Sequence, residues 1–574
     1  MDLRAEAARW LADDPDERTR AELADLLRHG DEAGLADRFA RRLEFGTAGM
    51  RGPIGAGPNR MNRVVVRRVT AGLASRLRNA DPVAAARGLV VGQDARHGSA
   101  VFAEDTAAVL AGARIGVQRF CEPVPTPLVA FAVRALEAGG GVQITASHNP
   151  SSDNGYKVYG PGGAQILPPV EAEISAAVTR IGRLADLPYD AGSPLIRPVP
   201  PWVREAYLDT ALGLVHHPEH RSLAVVYTPL HGVAGDLCLE LLARAGFGDV
   251  RVVAEQAEPD PDFPTVPYPN PEQPGVLDLA VRLARQTGAD LVIANDPDGD
   301  RIAAAVPERD GDGGWRPLTG DEIGCLLAEY LLAARPGGPG RVVATTVVSS
   351  QLLARIAEAH GAEYAETLTG FKWLAGVAAR ARVQGKQLLL AYEQALGVMV
   401  GDAVRDKDGI RAALVLAELA AVLKAQGRTL LDALDDLACR HGVHATAGWS
   451  RPIEQREAAV DETLERLRVA RPAEVGGVGV VAFADHMEGK RHLANGSVEP
   501  LRTPPTALVG LALADGSRLQ IRPSGTEPLL KLYAEVVEPV QDSSATGMAA
   551  ARARAHRRLG MLRTAFEQLA FPTG

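Results

Sequence analysis

A chain of 574 residues is longer than one hydrophobic core organises, and three to five domains are expected. Its composition, 46% hydrophobic and 23% charged, is that of a folded globular protein, while a net charge of -9 excludes a general affinity for nucleic acid or an anionic membrane surface. The opening MDLRAEAARWLADD has no apolar leader segment, and no run of about 18 apolar residues exists, so a cytoplasmic location is expected.

Residues 2–43 read as two or three amphipathic helices broken near Asp14-Pro15 and Gly30. Short apolar strands then alternate with helical stretches. GLVVG (88–92) precedes a helix over 99–112, GVQIT (141–145) ends in a loop, and LAVVYT (223–228) precedes a helix from near Val233. ADLVIAN (289–295), RVVATTVV (341–348) and KQLLLAY (386–392) continue the series. Unbroken Val/Ile/Leu runs between helices indicate strands buried on both faces of α/β sheets. The Pro-rich AGSPLIRPVPPW (191–202) is the best linker candidate, with further boundaries near 311–320 and after the helix holding Cys439. LQIRP (519–523) and LLKLYAEV (529–536) alternate like antiparallel strands, and a basic helix follows over 548–568. The four Cys are far apart and form no CxxC pair, as expected of reduced thiols.

Several loops carry chemistry. TASHNP (145–150) lies at a strand's carboxyl end, where α/β sheets place ligands. Ser147 there can carry a phosphoryl group, flanked by the polar His148 and Asn149. His148 is not expected to face Ser147, because neighbouring side chains in an extended loop point apart. In DPDGDR (296–301), carboxylates at Asp296, Asp298 and Asp300 can converge on one hard cation. A calcium-loop reading fails, since Arg301 and Pro307 stand where that loop needs Gly and Glu. In RPSGTE (522–527), Arg522 can fork onto a phosphate, with Ser524, Thr526 and the amides about Gly525 forming an anion nest. FGTAGMR (45–51), TGFK (369–372) and YEQALG (392–397) are weaker signals, read alone as turns. Only 7 of the 62 basic residues are Lys, and Lys157, Lys372, Lys407 and Lys531 fall beside these loops.

Together and in this order, FGTAGMRG, TASHNPSSDNGYKVYG, DPDGDR, TGFKW, YEQALG with RDKDG, and RPSGTEPLLKLY resemble the α-D-phosphohexomutase superfamily from about residue 40 to 540. PDPDFPTVPYPNPE and TLTGFKW are similar to its longer branch of phosphoglucomutases and phosphopentomutases. The resemblance implies four domains around a central cleft, three α/β/α units with mixed sheets and a smaller α+β C-terminal domain. We place them at 1–204, 205–317, 318–441 and 442–574. It implies Ser147 as phosphoserine, a Mg²⁺ site of Ser147, Asp296, Asp298 and Asp300, and Arg51, His148 and Lys157 near the reacting phosphate. Lys157 is the expected base for the sugar hydroxyl, with His148 as the alternative. Substrate contacts are implied for Arg301, Gly370, Phe371, Lys372, Glu393, Lys407, Arg522, Ser524, Gly525 and Thr526. The implied reaction interconverts hexose 1-phosphate and 6-phosphate, with glucose 1,6-bisphosphate or another sugar bisphosphate as activator, in a monomer or dimer that binds small sugar phosphates. Ala395 stands where the hydroxyl-binding loop often has Ser, so a phosphopentomutase or phosphomannomutase stays open.

Overall fold

Apolar runs bounded by turn residues become the strands that carry the loops above. The computed structural model describes residues 2–572 except 47–48, 310–312, 336–339, 453–455 and 525–528. The chain divides into two units, Met1–Leu327 with Gly370–Gly427, and Ala328–Thr369 with Arg428–Gly574.

The first unit begins with helices Leu3–Asp13, Glu17–His29 and Glu32–Phe39, each started by an Asp side chain that accepts a first-turn amide. Its first sheet has six strands: β1 (Met50–Pro53), β2 (Leu89–Gln93), β3 (Val117–Arg119), β4 (Gly140–Ile144), β5 (Asp153–Tyr159) and β6 (Ile196–Pro198). They lie in the order β1-β5-β4-β2-β3-β6. Strands β4, β2, β3 and β6 are parallel, β5 pairs antiparallel with β4, and β1 pairs antiparallel with β5. Every residue of β2 and β4 is buried, as their unbroken apolar runs require. Within the Pro-rich stretch, Ile196–Pro198 forms β6 at the sheet edge, where Pro is tolerated. Only Gly fits at position 155 of β5, because a Cβ there would lie 2.4 Å from the Thr145 carbonyl and 2.8 Å from that of Met50.

The second sheet holds β7 (Ala224–Thr228), β8 (Asp249–Val252), β9 (Leu291–Asn295), β10 (Ile302–Pro307) and β11 (Trp315–Pro317), ordered β11-β10-β9-β7-β8. Strands β9 and β10 are an antiparallel pair whose connection is the Asp296–Arg301 loop. Strands Gln387–Glu393 and Gly397–Val400 form an antiparallel hairpin in the same unit.

The second unit contains the parallel pair Arg341–Thr346 and Glu363–Thr367, and an eight-stranded sheet to which Arg518–Pro523 and Leu529–Glu538 belong. Leu519, Ile521, Leu532 and Val536 of that sheet pack against Leu562 and Phe566 of the helix Ala545–Ala570. All four Cys are free thiols. Among the described residues no helix is long and apolar enough to cross a membrane.

Candidate active site

Where β4 ends, the Thr145 hydroxyl accepts the Ser147 amide at 2.8 Å and turns the chain out of the sheet. Ser147 adopts φ +56°, a left-handed conformation uncommon for a side-chain-bearing residue. The loop is therefore not extended, and this corrects the expectation for His148. The Ser147 Oγ lies 3.2 Å from His148 Nδ1 and donates to Asp296 Oδ2 at 2.8 Å. Burial, followed by the charges of Arg301 and Arg51, holds His148 well below the ordinary imidazole range, so it is neutral at pH 7.

Asp296, Asp298 and Asp300 are wholly buried, with an oxygen of each within 4.8 Å of the others. Gly299, at φ +72°, lets the loop turn. Thr126 fixes the centre of the loop, its amide donating to the Asp298 carbonyl at 2.9 Å and its hydroxyl to the Asp298 carboxylate. Lys157, on β5 and fully buried, donates to Asp298 Oδ2 at 2.7 Å and Asp300 Oδ2 at 2.8 Å. Lys407 adds a contact to Asp300 Oδ2 at 3.0 Å. Burial raises Asp298 and Asp300, but the ammonium groups outweigh it and hold both below the ordinary carboxylate range. Asp296, with no Lys of its own, is pushed up to about 8 by burial and by its two neighbours' charges.

These residues fit a divalent cation. Asp298 Oδ1 and Asp300 Oδ1 are buried without a hydrogen-bond partner, and three carboxylates so close repel one another unless a cation or a proton intervenes.

The β1–β5 register sets Arg51 opposite Gly155, and its Nη1 reaches Asn149 Oδ1 at 3.5 Å. Arg51 Nε is buried without a partner, and burial lowers its pKa. The Arg301 amide donates to Asp296 Oδ1 at 2.9 Å, and its guanidinium lies 3.5 Å from Glu272. A β-bridge joins Arg301 to Gly397, and the Ile302 amide donates to the Leu396 carbonyl, so the carboxylate loop is stitched to the YEQALG turn. There Glu393 Oε1 accepts the Gly370 amide at 2.7 Å, and Lys407 sits 5.4 Å above the Phe371 ring. Lys372, expected to face substrate, donates to Glu171 Oε1 at 2.6 Å. Ser147, His148, Lys157, Arg51, the three Asp residues, Arg301, Gly370, Phe371, Lys372, Glu393 and Lys407 thus all belong to the first unit.

Arg522 and Ser524 belong to the second. Arg522 donates to the Tyr533 hydroxyl at 3.2 Å, and the Ser524 amide to the Leu529 carbonyl at 2.8 Å. Gly525 and Thr526 lie outside the described residues. Sequence reasoning missed Thr126 and Arg96. The latter follows the apolar run of β2, the same strand-end position that marked the other loops.

The chain belongs to the phosphoglucomutase/phosphomannomutase family of the α-D-phosphohexomutase superfamily. The family's α/β/α domain I matches residues 42–184, domain II 205–311, domain III 319–440 and the C-terminal domain 464–549. It is a phosphosugar mutase, an isomerase that relocates a phosphoryl group. A probable phosphomannomutase of Haemophilus influenzae is 39% identical, covering 82% of this chain and 92% of that protein. A probable phosphoribomutase of Schizosaccharomyces pombe is 38% identical, covering 91% and 92%. A phosphoglucomutase of Staphylococcus epidermidis is 36% identical, covering 86% and 90%. The crystal structure of a putative phosphomannomutase from Thermus thermophilus superposes with a TM-score of 0.65 at 24% identity, covering 91% of this chain and 99% of that one, which speaks for the fold alone.

Proposed function

We propose that the chain is a phosphoglucomutase that interconverts hexose 1-phosphate and hexose 6-phosphate, with Ser147 as the phosphate carrier and the four domains divided as the sequence suggests. The observation that carries this reading is the Ser147 hydroxyl set 2.8 Å from Asp296 Oδ2 in a buried carboxylate cluster with partnerless oxygens.

Asp296, Asp298, Asp300 and the phosphate on Ser147 would hold Mg²⁺, which when bound supplies a positive charge that stabilises the transferring phosphoryl group. Phosphorylated Ser147 gives its phosphoryl group to a sugar hydroxyl, forming a bisphosphate that must turn over before Ser147 is reloaded from its other end. His148 Nδ1, neutral and 3.2 Å from Ser147 Oγ, takes the Ser147 proton on loading and returns it on unloading. Lys157, which donates to two carboxylates, can act on the sugar hydroxyl only once those pairs open. Arg51, with its unpartnered Nε, is assigned a phosphate oxygen. Glu393 and Lys407, with Arg301, Gly370, Phe371 and Lys372 around them, are assigned the sugar. Arg522 and Ser524, with Gly525 and Thr526, are assigned the non-reacting phosphate.

Ala395 favours a second reading, a phosphopentomutase, to which the phosphoribomutase relative lends support. The test is a panel of glucose, mannose and ribose 1-phosphates with and without glucose 1,6-bisphosphate. The highest kcat/KM for glucose 1-phosphate, stimulation by the bisphosphate and negligible phosphate release are expected. A higher kcat/KM for the pentose would select the second reading.

A further inference from the structure

Beneath the Ser147 loop lies a buried guanidinium with an unusual set of partners. Arg96, 4% exposed, follows β2 and is not among the groups assigned to phosphate or sugar. Its Nη2 donates to the carbonyls of Ser147 and Asn149, both at 2.5 Å. Its Nη1 donates to those of Pro150 at 2.6 Å and Asp153 at 3.1 Å. All four terminal N–H bonds are therefore spent on the backbone of one loop. Asp94 flanks the remaining Nε at 3.4 Å, and the Phe263 ring lies 4.9 Å from the guanidinium carbon. Asp94 is itself held by the Arg96 amide and the Ser99 hydroxyl, so the cage has a rigid base.

We propose that Arg96 is the positioning residue of the phosphoryl-transfer step: by drawing four carbonyls of the loop to one point it imposes the left-handed Ser147 backbone that sets Oγ against Asp296. Two physical effects follow. A left-handed backbone at Ser persists only where its surroundings over-determine it, and the four bonds do that. A fixed positive charge also sits against the backbone of the residue that becomes a near-dianion on phosphorylation. In transfer, the bond from Ser147 Oγ to phosphorus breaks and a bond from the sugar hydroxyl oxygen forms; Ser147 Oγ takes back the proton that His148 held, and the sugar hydroxyl's proton passes to Lys157 once its carboxylate pairs open. In the competing hydrolysis water replaces the sugar hydroxyl, and inorganic phosphate leaves. A cage that fixes Oγ therefore governs both the transfer rate and its lead over hydrolysis.

This inference rests on Ser147 as the carrier. The full-length protein and its Arg96→Met and Arg96→Lys variants are incubated with glucose 1,6-bisphosphate, and the phosphorylated fraction and its site are read by intact mass and peptide mapping. Turnover and phosphate release are then expressed per phosphorylated chain, so losses in folding cancel. A fall in kcat on the order of 100-fold is expected for Arg96→Met and about tenfold for Arg96→Lys, with KM within about threefold and more phosphate lost to water. Lysine keeps the charge but has too few donors for four carbonyls, so it decides the matter if Arg96→Met does not accumulate. Wild-type kcat and wild-type partitioning in the variants overturn this inference alone. A wild-type protein without label on Ser147 overturns the proposed function beneath it.

Discussion

Replacing Lys157 by Met is expected to make the fold depend on a divalent cation. The Lys157 ammonium and the carboxylates of Asp298 and Asp300 are all fully buried, bonded at 2.7 and 2.8 Å. Removing one partner of a buried ion pair leaves uncompensated charge and costs about 3–5 kcal/mol. Lys407, 3.0 Å from Asp300, offsets part of this and favours the lower end. A cation at 100 times its dissociation constant restores about 2.7 kcal/mol. In EDTA the variant's Tm is therefore expected to fall by roughly 4 °C, and saturating Mg²⁺ to restore most of it. Wild type, whose ammonium already balances the cluster, shifts less. Calorimetry of both proteins in EDTA and in Mg²⁺ reads the difference. An equal loss of Tm in the two conditions would refute the reasoning, because it would mean that no cation takes the place of the ammonium.

Ala395→Ser should shift the ratio of glucose to ribose kcat/KM by about tenfold if the missing hydroxyl sets the sugar preference, and parallel steady-state assays read it. Arg522→Gln, which removes a guanidinium that borders the Ser524 loop, should raise KM for the sugar phosphate on the order of tenfold or more while leaving phosphorylation of Ser147 by the bisphosphate detectable by intact mass. Burial holds His486 down to about 4 from its ordinary 6.5. The unfolded chain then takes up the proton first, so His486 adds stability above pH 6.5 that is lost as pH falls towards 4, up to about 3 kcal/mol. His486→Gln should flatten that part of the denaturation profile against pH.

What was legible in the sequence is what is encoded locally. The helix expected over 99–112 is Ser99–Gly112, and the breaks at Asp14 and Gly30 end their helices, because apolar spacing and capping residues act within a few positions. β6 was hidden because Pro198 argues against a strand unless its place at a sheet edge is known. The approach of His148 to Ser147 was hidden too, since nothing in TASHNP announces a positive φ at a Ser. It arises from Arg96, 51 residues away. Thr126 reaches Asp298 across 172 residues. Such contacts are consequences of sheet order, which brings the ends of β2, β4 and β9 to the site, and no local pattern carries them.

The scarcity of Lys gains a physical meaning from these contacts. In a chain that otherwise uses Arg, Lys157, Lys372 and Lys407 are all buried or nearly so, and each ion-pairs with a carboxylate. At position 157 a compact, fully buried ammonium fits between two oxygens 2.7 and 2.8 Å away. A planar guanidinium is bulkier and would need a fork of acceptors in one plane. At position 407 the margin is tighter still: a Cβ on Gly397 would come within 2.6 Å of the Lys407 side chain, which shows how closely the YEQALG turn is wrapped around it. An ammonium can also yield its place to another cation or give up its proton, whereas a guanidinium does neither readily. Lysine at 157 is thus the side chain that balances the charges of Asp298 and Asp300, and under the proposed mechanism that ammonium must leave those oxygens before it can act on the sugar hydroxyl.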